Sequence, residues 1–119
     1  MQGSDAPAAT CLLVDVVGMK AANAAGGFSA GDALLRDAAA RLRAITPSAL
    51  IRARLGGDEL VALFTGKRAR ALAEEACLAA GAAASPRLRA GWVELAPGES
   101  PRLLIDRLYA RSREDDGGA

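Results

Sequence analysis

The chain has no histidine, and that absence removes more chemistry than any other feature of its composition. His-based general bases, nucleophile triads and imidazole metal ligands are all excluded, so any metal site must be built from oxygen. Oxygen sites suit Mg²⁺ or Mn²⁺. Cysteine is almost as scarce: Cys11 and Cys77 lie far apart, each in an apolar run, with no CxxC pair and no zinc spacing. They read as two reduced, buried thiols acting as small hydrophobes. Aromatics are few, with one Trp, one Tyr and two Phe, so the 51% apolar fraction rests heavily on alanine. Alanine-rich helices pack closely but bury little area per residue, which predicts a compact fold of modest stability. No charge of one sign dominates: fifteen basic against fourteen acidic residues leave a net charge of +1. That balance gives no field for nucleic acid or an anionic membrane. No apolar run approaches a membrane-spanning length, and Met1 to Thr10 contain no apolar signal segment. The expectation is one cytoplasmic domain at residues 11–113, with disordered ends at 1–10 and 114–119.

Along the chain, Cys11 to Val17 reads as a short buried strand. A Gly/Ala loop is expected from Ala21 to Gly27, then a helix over 30–45 capped by Ser29, with Leu34, Ala38, Leu42 and Ile45 on one face, stopped by Pro47. Ala49 to Leu55 and Glu59 to Phe64 form a hairpin, Arg68 to Ala84 a second helix, and Leu88 to Leu95 a strand. Ser100-Pro101 starts a last helix through Arg113. The order strand-helix-strand-strand-helix-strand is the ferredoxin-like split arrangement, an α+β fold. A right-handed first crossover makes strands one and two parallel, with strand three antiparallel between them. The end of strand one then lies beside the start of strand three, and Asp15 and Asp58 meet at one sheet edge.

Two blocks of residues carry the chemistry. The hairpin tip is Arg54-Leu55-Gly56-Gly57-Asp58-Glu59, in which Gly56 and Gly57 permit positive φ and close approach by an anion, while the acids can hold a metal. Upstream stand Asp15, Lys20 and Asn23, then Gly27, Gly31, Asp32 and Leu35. Each alone has an ordinary explanation: a strand-end carboxylate, a solvated lysine, a loop asparagine, a first-turn helix acid, a Gly-Gly turn.

Together these residues resemble the GGDEF domain of diguanylate cyclases, whose pattern runs D-x-D-x-F-K-x-x-N-D, G-H-x-x-G-D-x-x-L and R-x-G-G-[DE]-E-F. The resemblance implies a nucleotidyl-cyclase palm with a central antiparallel sheet flanked by helices. It implies that two GTP molecules are joined into cyclic di-GMP with release of pyrophosphate, by two domains facing each other as a homodimer. On that resemblance, Asp15 and Asp58 would hold Mg²⁺ (or Mn²⁺) with the Val16 carbonyl, and Glu59 would serve as a further ligand or a base. Gly18 and Met19 would offer backbone N–H groups to the phosphates, beside Gly56 and Gly57, and Lys20 would meet the terminal phosphate. Asn23 and Asp32 would read the guanine edge. A sensory domain in a longer protein is a further implied partner.

The chain also departs from the pattern. Val17 replaces the second acid, Ala24 the Asp after Asn23, Phe28 the His and Leu60 the final Phe. The phosphate-binding Lys of the family's last helix falls on Ser112. The inhibitory R-x-x-D site would fall on Pro47 and Leu50, so no inhibitory site is expected. Two alternatives remain open beside an active cyclase: an inactive relative that binds GTP or a protein, and an unrelated ferredoxin-like interaction domain with a chance Gly-Gly turn.

Overall fold

A computed structural model describes residues 9–82, 85–95 and 106 of the chain. The elements run β1 (Ala9–Val16), α1 (Met19–Ile45), β2 (Ile51–Arg54), β3 (Glu59–Thr65), α2 (Ala69–Ala82) and β4 (Leu88–Leu95). The strands form one sheet in the order β2-β3-β1-β4, with every neighbouring pair antiparallel. Strands β1 and β2 are therefore parallel with β3 inserted between them, as the right-handed crossover requires. The expected helix over 101–113, the cap at Ser100 and the two disordered ends lie outside the described residues, apart from Asp106, which is helical, and from Ala9 and Thr10.

Side chains alternate across the pleat. Leu12, Val14 and Val16 of β1 and Leu60, Ala62 and Phe64 of β3 face the helices, where Ala38 and Leu42 of α1 and Ala69, Ala73, Ala76 and Ala80 of α2 complete the main core. The alanine stripe of α2 lets that helix sit close on the sheet, as the composition suggested. Cys11 and Val61 point the other way, into a smaller cluster with Leu13, Leu63 and Val93. The same alternation places Asp15 and Glu59 on this second face. The helix layer is tied at its rim: Arg41 donates to the Ala79 carbonyl at 2.7 Å, joining α1 to α2, and Arg70 of α2 lies 5.3 Å above the Trp92 ring of β4.

Three expectations are corrected. Strand β1 begins at Ala9, and Thr10 is only 1% exposed, so pairing extends two residues ahead of the expected start. Residues 21–26 are helical instead of a loop, because alanine is the strongest helix former and four of the six are alanine. Helix α1 breaks instead at Gly27 (φ 75°, ψ −169°), and its second segment starts there without a side-chain cap from Ser29. Positive φ, which the hairpin glycines permit, occurs among the described residues at Gly18, Gly27 and Gly66. The space beside the Gly57 backbone is open: an added Cβ would meet nothing within 4 Å. Both thiols are free, and Cys11 is buried as expected, but Cys77 is only half-buried. Among the described residues, no helix is long and apolar enough to cross a membrane.

Candidate active site at the β1–β3 edge

The C-terminal end of β1 is pinned from both sides. Val16 N–H donates to the Asp58 carbonyl at 2.8 Å, and Val17 N–H donates to the Arg87 carbonyl at 2.9 Å. Asp15 pairs in register with Glu59 on β3 and with Arg89 on β4. The topology thus brings Asp15 to the glycine hairpin, as expected, but Glu59 rather than Asp58 stands directly opposite it. Asp58 is the preceding residue and is exposed.

Two carboxylates directly opposite on one face repel each other unless a cation is near, and both Arg89 across from Asp15 on β4 and a bound ion meet that need. Glu59 carries a second mark of the same kind. Its Oε2 is shut off from solvent and has no hydrogen-bond partner among the described residues. Burying an unpaired carboxylate oxygen is costly, and a bound cation removes the cost. The donor set is all oxygen, which fits Mg²⁺ or Mn²⁺. Among the described residues, no group of three or more Asp, Glu or Cys side chains is gathered closely enough to hold a metal by itself. Mg²⁺ does not require such a cage, since it is commonly held by one or two carboxylates with water and substrate phosphates completing the shell.

Immediately after β1 the chain turns into α1. Gly18 is the N-cap, in the left-handed region at φ 93° and ψ 9°, a conformation strained for any residue with a Cβ. The first intrahelical bond of this turn is Ala22 N–H to the Gly18 carbonyl at 2.9 Å. The N–H groups of Met19, Lys20 and Ala21 precede it, and no acidic residue sits in this first turn. Unclaimed N–H groups and the positive end of the helix dipole favour an anion here. Lys20 is exposed beside them.

Asn23, one of the expected base-reading pair, reaches across the kink at Gly27 to Gly31, the residue before Asp32. Asn23 leans over Gly31 so closely that a Cβ on Gly31 would lie 1.8 Å from Asn23 Oδ1. A glycine at this position is what allows the amide to rest against the turn that carries Asp32. Asn23 is half-buried and Asp32 exposed. No direct hydrogen bond joins this pair to the carboxylates of the β1–β3 edge among the described residues, so the site has two parts linked by the first segment of α1.

Sequence reasoning gave Arg54 no role beyond flanking the hairpin. The structure shows its Nε donating to the Gly56 carbonyl at 2.8 Å and its second guanidinium nitrogen to the Gly57 carbonyl at 3.1 Å. With Leu55 N–H bonded to the Glu59 carbonyl at 2.9 Å, this clamp sets the shape of the glycine tip. The signal was the arginine two residues ahead of a Gly-Gly pair, but a side chain reaching forward to loop carbonyls leaves no periodicity to read.

The sequence profile of the family described as diguanylate cyclase, GGDEF domain, matches residues 3–89. The chain belongs to this family. No curated relative matches it by sequence. Among solved structures, the GGDEF domain of DgcB from Caulobacter crescentus, determined in complex with c-di-GMP, is 23% identical. The alignment covers 94% of this chain and 76% of that one, with a TM-score of 0.66. The FimX GGDEF domain from Pseudomonas aeruginosa is 22% identical over 92% of this chain and 74% of its own, with a TM-score of 0.69. Diguanylate cyclase SiaD from Pseudomonas aeruginosa, solved with its activator SiaC, is 21% identical with a TM-score of 0.68. That match covers 87% of this chain and 44% of SiaD, so this GGDEF domain spans under half of that protein. These likenesses establish the α+β fold of a GGDEF domain.

Proposed function

We propose that this GGDEF domain is a diguanylate cyclase: two copies, each holding one GTP, form cyclic di-GMP and release two pyrophosphates. The observation that carries this reading is the Asp15–Glu59 juxtaposition beside the Gly18 helix start, with the buried Oε2 of Glu59 left unpaired. Asp15, Asp58 and Glu59, with the Val16 carbonyl, would hold Mg²⁺ or Mn²⁺, which when bound neutralises triphosphate charge. The N–H groups of Gly18 and Met19 and the Lys20 ammonium receive phosphate oxygens, and the bare tip at Gly56 and Gly57 lets the backbone approach them. Asn23 and Asp32 bind the guanine edge, Asp32 accepting from its N–H groups; adenine would leave these groups unpaired. Glu59 takes the proton of the 3′-hydroxyl as its oxygen bonds to the α-phosphorus of the facing nucleotide. The bond from that phosphorus to the bridging oxygen breaks, and pyrophosphate leaves with the electron pair. The same exchange in the opposite sense closes the ring, which is why two facing copies are needed.

A second reading has its own observation. Val17 is half-buried where the family pattern carries a second acid, and its N–H is committed to Arg87. A domain with one charge fewer at the metal would bind GTP or a protein partner without turnover. Purified chain incubated with GTP and Mg²⁺ at high concentration, with products read by mass spectrometry, separates the two. The cyclase reading expects cyclic di-GMP from the native chain and its loss in Glu59→Gln at unchanged melting temperature. No product with GTP still raising the melting temperature selects the binding module, and turnover unaffected by Glu59→Gln removes Glu59 from the chemistry.

A further inference from the structure

A cavity of about 350 Å³ opens between α1 and the edge strand β2, and its rim is arginine: Arg36 and Arg43 from the helix, Arg52 and Arg54 from the strand. Its floor is apolar, made by Leu35, Leu42 and Leu60 among others, and no carboxylate lines it. Four cations around one cavity stand out in a chain whose net charge is only +1. The two pairs differ in their engagements. Arg52 is held against Thr46, donating from Nε to the hydroxyl at 2.8 Å and from a second nitrogen to the Thr46 carbonyl, and Arg54 is held by the glycine carbonyls. Arg36 and Arg43, two helical turns apart, have no hydrogen-bond or ion-pair partner among the described residues. Asp32, the nearest helix acid on that side, is one turn from Arg36 and forms no ion pair with it. Two fixed guanidinium groups on one wall and two uncommitted ones on the other make a binding site for an anion, and the volume is that of a small-ligand pocket.

We propose that this groove is a second ligand site, distinct from the β1–β3 edge, which takes a nucleoside monophosphate. Its phosphate lies between Arg36 and Arg43 and its base lies on the leucine floor, where guanidinium planes can also stack on it. A nucleotide fits better than inorganic phosphate because half of the cavity's lining offers nothing to an ion. It fits better than a peptide carboxylate because two uncommitted guanidinium groups offer more donors than two carboxylate oxygens take up, whereas a phosphate has three acceptor oxygens.

The test needs neither turnover nor GTP. Adenosine monophosphate is titrated into the ¹⁵N-labelled chain without divalent cation; its base and single phosphate are the wrong chemistry for the guanine-reading pair and the triphosphate site. Amide shifts are expected at 35–43 and 52–54. The double variant Arg36→Gln/Arg43→Gln, exposed positions whose change leaves the core untouched, is expected to weaken binding about tenfold or more, since each lost contact is a charge-assisted hydrogen bond. Raising salt should weaken the native interaction and leave the residual binding of the double variant nearly unchanged. Absence of shifts, shifts confined to 18–23 and 56–59, or undiminished binding in a double variant with a native melting temperature would overturn the proposal. Inorganic phosphate binding as tightly as the nucleotide would overturn it too, because the floor would then have no part. Since Asp15, Glu59 and Asn23 are untouched, this outcome and that of the cyclase assay are independent.

Discussion

Replacing Gly31 by alanine should cost this domain nucleotide binding while leaving its fold nearly as stable as before. The added Cβ would lie 1.8 Å from Asn23 Oδ1 and 2.7 Å from its Cγ, distances no pair of non-bonded atoms tolerates. Gly31 is buried in the second segment of α1 and its backbone is fixed by the helix, so Asn23 is the group that moves. A side chain driven from its rotamer well costs about 0.5–1.5 kcal/mol. Against this, glycine to alanine inside a helix gains about 1 kcal/mol. The two nearly cancel, and the midpoint of urea unfolding should change little. Binding has no such compensation. Once the amide swings away from the turn carrying Asp32, the guanine loses one neutral hydrogen bond, worth about 0.5–1.5 kcal/mol net, or about three- to tenfold in affinity. Calorimetric titration with a non-hydrolysable GTP analogue and Mg²⁺ measures it. Asn23→Ala should lose the same amount, and the double variant Gly31→Ala/Asn23→Ala should lose no more than either alone, because both remove one contact. Full affinity in Gly31→Ala, or losses that add in the double variant, would refute the reasoning that Gly31 exists to seat Asn23.

Two further predictions concern the fold that supports the site. Gly18→Ala meets no steric obstacle, since nothing lies within 4 Å of the added Cβ, so its whole cost is the left-handed φ of 93°. A loss of about 1–2 kcal/mol in urea denaturation is expected, and an unchanged midpoint would show that the turn into α1 can be remade without left-handed backbone. Burial pushes the Cys11 thiol from 9.0 up to about 11. Its contribution is present in full below pH 9 and is lost as pH rises towards 11, because the unfolded chain gives up the proton first. Between those limits native stability should fall by about 1.4 kcal/mol per pH unit more steeply than in Cys11→Ala. Parallel pH profiles of the two chains would contradict the burial of this thiol.

The sequence made the strand order legible because hydrophobic alternation and crossover handedness leave few options, and from the order followed the meeting of Asp15 with the glycine hairpin. Which acid would face Asp15 was not legible. Register depends on where β1 starts and on the length of the hairpin, and only the pairing of Asp15 with Glu59 fixes it. The Gly/Ala stretch from Ala21 to Gly27 reads as a loop, yet its alanines carry the helix through Gly26 and the break falls on Gly27 alone. The hairpin glycines permit positive φ, and the structure uses it instead at Gly18, where a strand must turn abruptly into a helix. The clamp of Arg54 on the tip and the seat of Asn23 on Gly31 are contacts between backbone shape and side-chain reach, which residue spacing does not encode.

The site divides into a rigid part and an adjustable part, and the division follows from how each is fastened. Asp15 sits on a strand paired on both sides, behind Val14 and Val16, which are 0% and 2% exposed. Glu59 begins the strand beside it, and the backbone bond from Val16 to Asp58 locks the two ends together. A metal needs carboxylates held in place before it arrives, and this edge supplies that from the core of the sheet. The glycine tip has no such anchoring. It stands beyond the last β2–β3 pair, Arg54 with Leu60, and its carbonyls are held by one arginine that is itself exposed. Phosphates bound there can therefore shift the tip without disturbing the acids. Arg54 also lines the arginine groove, so a nucleotide that draws its guanidinium away from the glycine carbonyls would loosen the tip from behind. The groove and the glycine tip share Arg54, and a change in its bonds to the Gly56 and Gly57 carbonyls is the physical route by which occupancy of one site would bias the other.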